Sequence, residues 1–324
     1  MKLLLTGDVM LGRLVNENLK IHPPDYPWGD TLPIFKEADV RICNLECVMS
    51  SKGSPALKVF TFRSDPNNIA VLEAASINAV SLANNHTLDY GREALADTFV
   101  LLEKAGIRYA GAGANLLMAQ HPAILEMGSM KIGLLSVTDA NETGWEAETD
   151  RSGTWYVPVD IGDPRAFDLI ERIKETKTAV NILIVALHWG SNWGYEPEPG
   201  HREFAHMLID AGVDIIFGHS CHVFRGIEIY RKKPIIYSAG DFIDDYAVDA
   251  IERNDESFIF MIEIFEQSIQ NMFLYPTIIK NFQVQLADLS RVIHIASRMK
   301  RLCRELGTQT CWNGASGTLD IKIS

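Results

Sequence analysis

One feature constrains this chain more than any other: a series of apolar runs, each stopping at residues able to hold a metal ion or move a proton. The run 3–5 leads to Asp8, 40–42 to Asn44 and Glu46, and 79–82 to Asn84, Asn85 and His86. Further along, 182–187 leads to His188, 213–217 to His219 and His222, and 234–237 to Asp241. Between these runs, apolar residues recur at three- and four-residue spacing over 66–75, 91–105, 163–176 and 201–211, and Gly106 and Gly212 follow as left-handed helix stops. Strands alternating with helices predict a layered α/β architecture. In such proteins ligands collect beyond the carboxyl ends of the strands, so these polar residues are expected to converge although they lie far apart in the chain.

After Asp241 the pattern changes. Segments 257–265 and 271–279 read as an antiparallel strand pair, 288–306 as an amphipathic helix, and 318–323 as a last edge strand. No low-complexity linker or internal repeat interrupts the chain. Residues 1–324 are therefore expected to form one domain, with about 257–324 packed onto the rest. Segment 140–156, with acidic residues and two tryptophans, reads as a long loop near the mouth of the site, because structureless loops of that length are uncommon unless functional.

A length of 324 residues, 47% hydrophobic, supplies material for a large core. A formal charge of −12 lacks the basic stripe that a sequence-independent grip on phosphates needs, so no nucleic-acid partner is expected. The apolar start, residues 1–5, is interrupted by Thr6-Gly7-Asp8 well short of a signal or membrane segment. The expectation is a cytoplasmic protein without an integral membrane segment. Its five cysteines form no C-x-x-C pair and fit reduced thiols, with Cys43 and Cys47 as core fillers.

Aspartate, glutamate, asparagine and several histidines make a mixed oxygen and nitrogen donor set, which suits Mn, Fe or Zn better than Mg or Ca. The candidates suffice for one or two divalent ions. A pair of ions about 3.5–4 Å apart generates hydroxide near neutral pH, and a histidine beside the pair can protonate a leaving group.

Gly7-Asp8-Val9-Met10-Leu11-Gly12-Arg13, Asn44-Leu45-Glu46, Asn84-Asn85-His86 with Asp89, His188-Trp189-Gly190, Gly218-His219-Ser220-Cys221-His222 and Tyr237-Ser238-Ala239-Gly240-Asp241-Phe242 resemble, in order, the motifs of the CapA family. That family of poly-γ-glutamate capsule synthesis proteins looks like a branch of the calcineurin-like metallophosphoesterases. The resemblance implies an α/β/β/α sandwich and a metal site of Asp8, Glu46, Asn85, His188, His219 and His222. It implies His86 as general acid beside Asp89, and Arg13 as a clamp for a phosphate or carboxylate. The substrate class it implies is a small anionic or γ-glutamyl compound, or a phosphoester, hydrolysed by metal-activated hydroxide. A non-catalytic role in binding polyglutamate during capsule synthesis is the other reading. Met10 stands where the superfamily has a histidine, Glu46 where it has a bridging aspartate, and Asp241 where the family has asparagine.

Other signals have plainer readings. Glu196 and Glu198 read as solvated charge, and Cys221 as a thiol packed beneath its turn. Trp145, Trp155, Trp189 and Trp193 read as buried area or an aromatic wall. Gly111-Ala112-Gly113 lacks the third glycine of a dinucleotide fingerprint, Leu116 standing in its place, which argues against a nicotinamide enzyme. His22, His121, His201, His206 and His294 carry no assigned role.

Overall fold

Why the apolar runs are continuous rather than alternating is explained by two sheets stacked face to face with helices outside both. The computed structural model describes residues 1–140 and 142–323. Among these, a mixed ten-stranded sheet contains the neighbours Cys311–Asn313, Thr318–Lys322, Ser268–Lys280, Glu256–Phe265, Lys2–Val9, Val40–Leu45, Ala79–Ser81 and Arg108–Ala110, in that order. The second sheet, six-stranded, runs Ile227–Tyr230, Lys233–Ile236, Ile215–His219, Ile182–His188, Met130–Thr138, Ala123–Met127.

Strands near the centre are buried on both faces, so neither face needs polar residues. Leu3 and Leu5 point into the core between the sheets, where Ile182, Ile184 and Ala186 meet them from the other side. Leu4 faces the outer helices, packing in one cluster with Val15, Phe35, Leu72 and Leu95. Leu183, Val185 and Leu187 pack with Leu169 and Ile173 of helix Pro164–Lys177 and Phe204 and Leu208 of helix His201–Ala211. This is the α/β/β/α sandwich expected from the sequence.

The C-terminal elements are integral to that sandwich. Glu256–Phe265 pairs antiparallel with Lys2–Val9, the strand that carries Asp8, and Ser268–Lys280 continues the sheet outward. Helix Leu289–Glu305, capped by Asp288, buries Ile295, Met299 and Leu302 in the core between the sheets. One detail differs from the sequence reading: Thr318–Lys322 is not the edge, because Cys311–Asn313 pairs along its outer side. No helix among the described residues is long and apolar enough to cross a membrane.

Candidate metal centre

The site forms where the two sheets exchange a strand. Asp8 lies in parallel register with Asn44 on one side and Asp241 on the other. Asp241 does not close the run 234–237, as the sequence pattern suggests. The chain leaves the six-stranded sheet at Ile236, crosses, and enters the ten-stranded sheet at Asp241–Ile243. Two glycines permit the crossing. A Cβ on Gly7 would stand 1.9 Å from the Gly240 carbonyl oxygen, and Gly240 has φ +71°. That close approach lets the Asp8 amide donate to Gly240 O at 3.0 Å.

Around Asp8 the polar side chains interlock. Its Oδ1 faces His219 Nδ1 at 2.8 Å and accepts from Asn44 Nδ2 at 2.9 Å. Asn44 Nδ2 also reaches Glu46 Oε2 at 3.2 Å, while Asn84 Nδ2 donates to Asn44 Oδ1 at 3.0 Å. His222 Nδ1 lies 3.0 Å from Asp241 Oδ1. One ligand atom from each of Asp8, His222 and Asp241 falls within 4.8 Å of the other two. His188 ends its strand directly beside His219 in parallel register.

Several buried atoms here have no protein partner: Asp8 Oδ2, Asp241 Oδ2, Asn85 Oδ1, His188 Nδ1 and His219 Nε2. Each unpaired buried polar group costs free energy unless something else satisfies it. Burial pushes Glu46, Asp241 and Asp244 well above the usual carboxylate range, with the Asp8 charge adding to the effect on Glu46 and Asp241. Burial also acts to raise Asp8, but the His219 hydrogen bond and charge outweigh it and hold Asp8 below the ordinary value. Burial brings His188 down to about 3 and lowers His86 and His222. A crowd of buried carboxylates beside neutral imidazoles is chemically matched to a divalent cation, and the mixed donors fit.

His86 stands at the edge of this group. Its Nδ1 is 2.6 Å from Asp89 Oδ2, its ring stacks on Phe62 at 3.9 Å, and its Nε2 faces Glu46 Oε1 at 3.9 Å. Arg13, in the left-handed region at φ +48°, is occupied: its Nε lies 3.3 Å from Asp245 Oδ2, and the guanidinium sits over Phe60 and Phe62. Met10 is fully buried in the apolar cluster of Val9, Leu11, Val15 and Trp28, where its sulfur accepts from Gly12 N at 3.0 Å.

The structure therefore gathers Asp8, Glu46, His86, His188, His219 and His222 at one rim, joined by contacts or register. Asn85, next to His86 in the chain, has its Oδ1 buried without a partner. Asp241 is closer to the centre than its place in the motif suggested. Asn44 bridges Asp8 and Glu46, Asn84 links Asn44 to the His86 amide, and Lys58, which no sequence signal marked, pairs with Asp89 Oδ1 at 3.0 Å. Glu198 is not plain solvated charge. It accepts from Arg225 Nη1 at 2.7 Å and Ser191 N at 2.7 Å, and sits 3.0 Å from His201 Nδ1. Trp155 and Trp189 are core residues, whereas Trp193 is 43% exposed with its ring 5.7 Å from His222, and Trp145 borders Lys58 at 5.0 Å.

The same sandwich occurs in a protein from Thermus thermophilus of undetermined function (TM-score 0.52, 16% identity, covering 85% of this chain and 98% of that one). It occurs also in a protein provisionally titled a 5'-nucleotidase from Staphylococcus aureus (TM-score 0.53, 13% identity, 94% and 58%). By sequence, residues 2–246 match the model of the bacterial capsule synthesis protein PGA_cap, and the chain belongs to that family. A relative named "Probable polyglutamine synthesis accessory protein" from Mycobacterium tuberculosis is 40% identical over 250 residues, which cover 74% of this chain and 66% of the relative. The PGA biosynthesis protein CapA of Bacillus subtilis is 31% identical over 242 residues, covering 74% and 62%. The chain thus spans no more than about two thirds of the length of these curated relatives.

Proposed function

We propose that this chain is a metal-dependent hydrolase acting on an anionic substrate, a γ-glutamyl polymer or peptide or a phosphoester. The observation that carries the reading is the trio Asp8, His222 and Asp241, with donor atoms within 4.8 Å and one oxygen of each aspartate buried without a partner. In this reading Asp8, Glu46, Asn85, His188, His219, His222 and Asp241 supply the ligands for one or two ions, Mn, Fe or Zn by donor type. A bound divalent ion supplies Lewis acidity and a nucleophilic water near neutral pH. The remaining work falls to the chain itself. His86, held through Nδ1 by Asp89, presents Nε2 to the site and delivers a proton to the leaving group. In this reading an anionic substrate competes with Asp245 for the Arg13 guanidinium at the rim. The whole span 1–324 acts as one unit, because the strand carrying Asp8 is paired on one side by Glu256–Phe265.

The test is elemental analysis of protein purified without added metal, paired with a hydrolysis screen of phosphomonoesters, phosphodiesters and γ-glutamyl amides. Metal in stoichiometric amount, with turnover abolished in Glu46→Gln and His219→Ala, is the expected result. Metal-free preparations that stay inert after reconstitution with Mn, Fe and Zn would end this reading.

A second reading has its own support: Met10 offers no imidazole, its sulfur is engaged with Gly12, and a relative bears the name accessory protein. Here the site holds a cation and the carboxylates of a γ-glutamyl chain without cleaving it, as a component of poly-γ-glutamate synthesis. Saturable, metal-dependent binding of γ-glutamyl oligomers without turnover is the outcome that selects it.

A further inference from the structure

Lys58 lies in a segment that otherwise exposes apolar residues: Leu57, Val59 and Phe60 all face outward. Its own side chain is only 12% exposed. Turned inward, its Nζ meets three groups. It pairs with Asp89 Oδ1 at 3.0 Å, donates to the Asn85 carbonyl at 2.5 Å, and lies 5.0 Å from the centre of the Trp145 ring. A lysine that abandons solvent amid exposed apolar neighbours has been recruited by its partners, because hydration of an ammonium is costly to surrender.

Those partners matter because of where they lead. Asp89 is fully buried and engaged at both oxygens: Oδ1 is ion-paired with Lys58 at 3.0 Å, and Oδ2 accepts from Phe62 N at 2.6 Å and faces His86 Nδ1 at 2.6 Å. The ion pair at Oδ1 and the contacts at Oδ2 restrain the carboxylate from both ends, and the His86 ring lies with Nδ1 on Asp89 and Nε2 toward Glu46. The same ammonium fixes the peptide of Asn85, the residue next to His86. The segment that carries Lys58 is itself tied down on both flanks, by Ala56 N to Asp89 O at 2.7 Å and by Phe62 stacked on His86.

We propose that Lys58 is a positioning residue which, through Asp89 and the Asn85 carbonyl, fixes the orientation of His86 from a segment remote in sequence. The proposal rests on the reading of His86 as proton donor for its kinetic consequence, but not for its structural one. Among the described residues Lys58 meets Asp89, the Asn85 carbonyl and the Trp145 ring, and it acts on Glu46 through its charge.

The experiment compares wild type with Lys58→Met, Lys58→Arg and the exposed-neighbour control Leu57→Ser, all loaded with zinc. The readout is the slowly exchanging imidazole Nδ1–H proton resonance of His86, assigned by its disappearance in His86→Ala. It is expected to vanish in Lys58→Met, with thermal midpoint and zinc content kept, and to persist in Lys58→Arg and Leu57→Ser. On any substrate that wild type cleaves, kcat of Lys58→Met is expected to fall about 10- to 100-fold with KM within about twofold, the size typical of groups that orient a reacting side chain. Should Lys58→Met not fold, Lys58→Gln carries the same comparison. A His86 resonance retained in the folded Met or Gln variant overturns the proposal, whatever the turnover. If wild type cleaves nothing, the hydrolase reading fails by itself, and the resonance still decides for or against Lys58.

Discussion

Asp8 and Asp241 stand opposite each other in parallel register, two buried carboxylates on adjacent strands, each facing a histidine: His219 for Asp8 and His222 for Asp241. Burial leaves neither carboxylate solvated and, with the Asp8 charge, keeps a proton on Asp241 in the metal-free fold, an arrangement that costs stability and suits a cation. Asp241→Asn should therefore separate the two properties. The metal-free variant is expected to melt higher than metal-free wild type, by roughly 2 °C for each kcal/mol no longer spent on burying and protonating the Asp241 carboxylate. Its metal affinity is expected to fall by at least about tenfold, the lower end of what even groups outside the ligand shell contribute. Calorimetry with and without added zinc measures both. A variant that binds zinc as tightly as wild type would remove Asp241 from the centre.

The same carboxylates set the pH dependence of metal stabilisation. Glu46, Asp241 and Asp244 have folded-state values raised by burial, so the metal-free fold holds protons that the unfolded chain has released. From these groups, metal-free stability is fully present below the ordinary carboxylate range and declines as pH rises through their raised values. His188, lowered to about 3, and His86 and His222, lowered by burial, act in the opposite sense: their contribution is present above the ordinary value near 6.5 and is lost as pH falls. An ion needs the carboxylates bare and the imidazoles neutral, and its binding must expel the carboxylate protons. The rise in melting temperature on adding zinc or manganese is therefore expected to be larger at pH 8 than at pH 5.5. An equal rise at both values would mean that the raised carboxylates do not face the ion.

The strand ends were legible because central strands of a covered sheet are apolar on both faces, which leaves Asp8, Glu46, His188 and His219 conspicuous where each run stops. The longer helices were legible from their apolar spacing, whereas the short ones at Arg13–Asn18, Leu32–Glu37 and Leu116–Ala119 are too brief to show a period. What periodicity cannot encode is a contact between irregular segments. Lys58 sits in a stretch with no repeat, and its partner Asp89 lies beyond a short strand, a helix and the strand Ala79–Ser81. Asp241 looked like another strand end because the sheet switch at Gly240 leaves no trace in hydropathy. Glu198 looked solvated because its partner Arg225 is far along the chain.

That Glu198–Arg225 pair gives a stability prediction independent of catalysis. The Arg225 side chain is 1% exposed, and among the described residues its other partners besides Glu198 are the carbonyls of Trp193 and Gly194. Removing Glu198 leaves a buried guanidinium without a counter-charge. Glu198→Ala is expected to cost about 3 kcal/mol, in the range for breaking a buried pair from one side. Urea denaturation measures it. Loss below about 0.5 kcal/mol, the level of an exposed substitution, would show the pair to be incidental.

Proton delivery and ion binding are separable at this rim, because His86 is reached through Asp89 whereas the trio of Asp8, His222 and Asp241 closes without it. His86→Ala should keep its metal and lose rate. The expected fall in kcat is about 10²- to 10⁴-fold, the contribution of a positioned general acid. The loss should also depend on the leaving group, since an acid matters most where the departing atom is basic. On an ester with a nitrophenolate leaving group, which departs without a proton, His86→Ala should approach wild type, while an alkyl ester or an amide should show the full deficit. Equal losses on both substrates, with metal content unchanged, would assign His86 to substrate orientation instead and return the question of the proton donor to the rest of the rim.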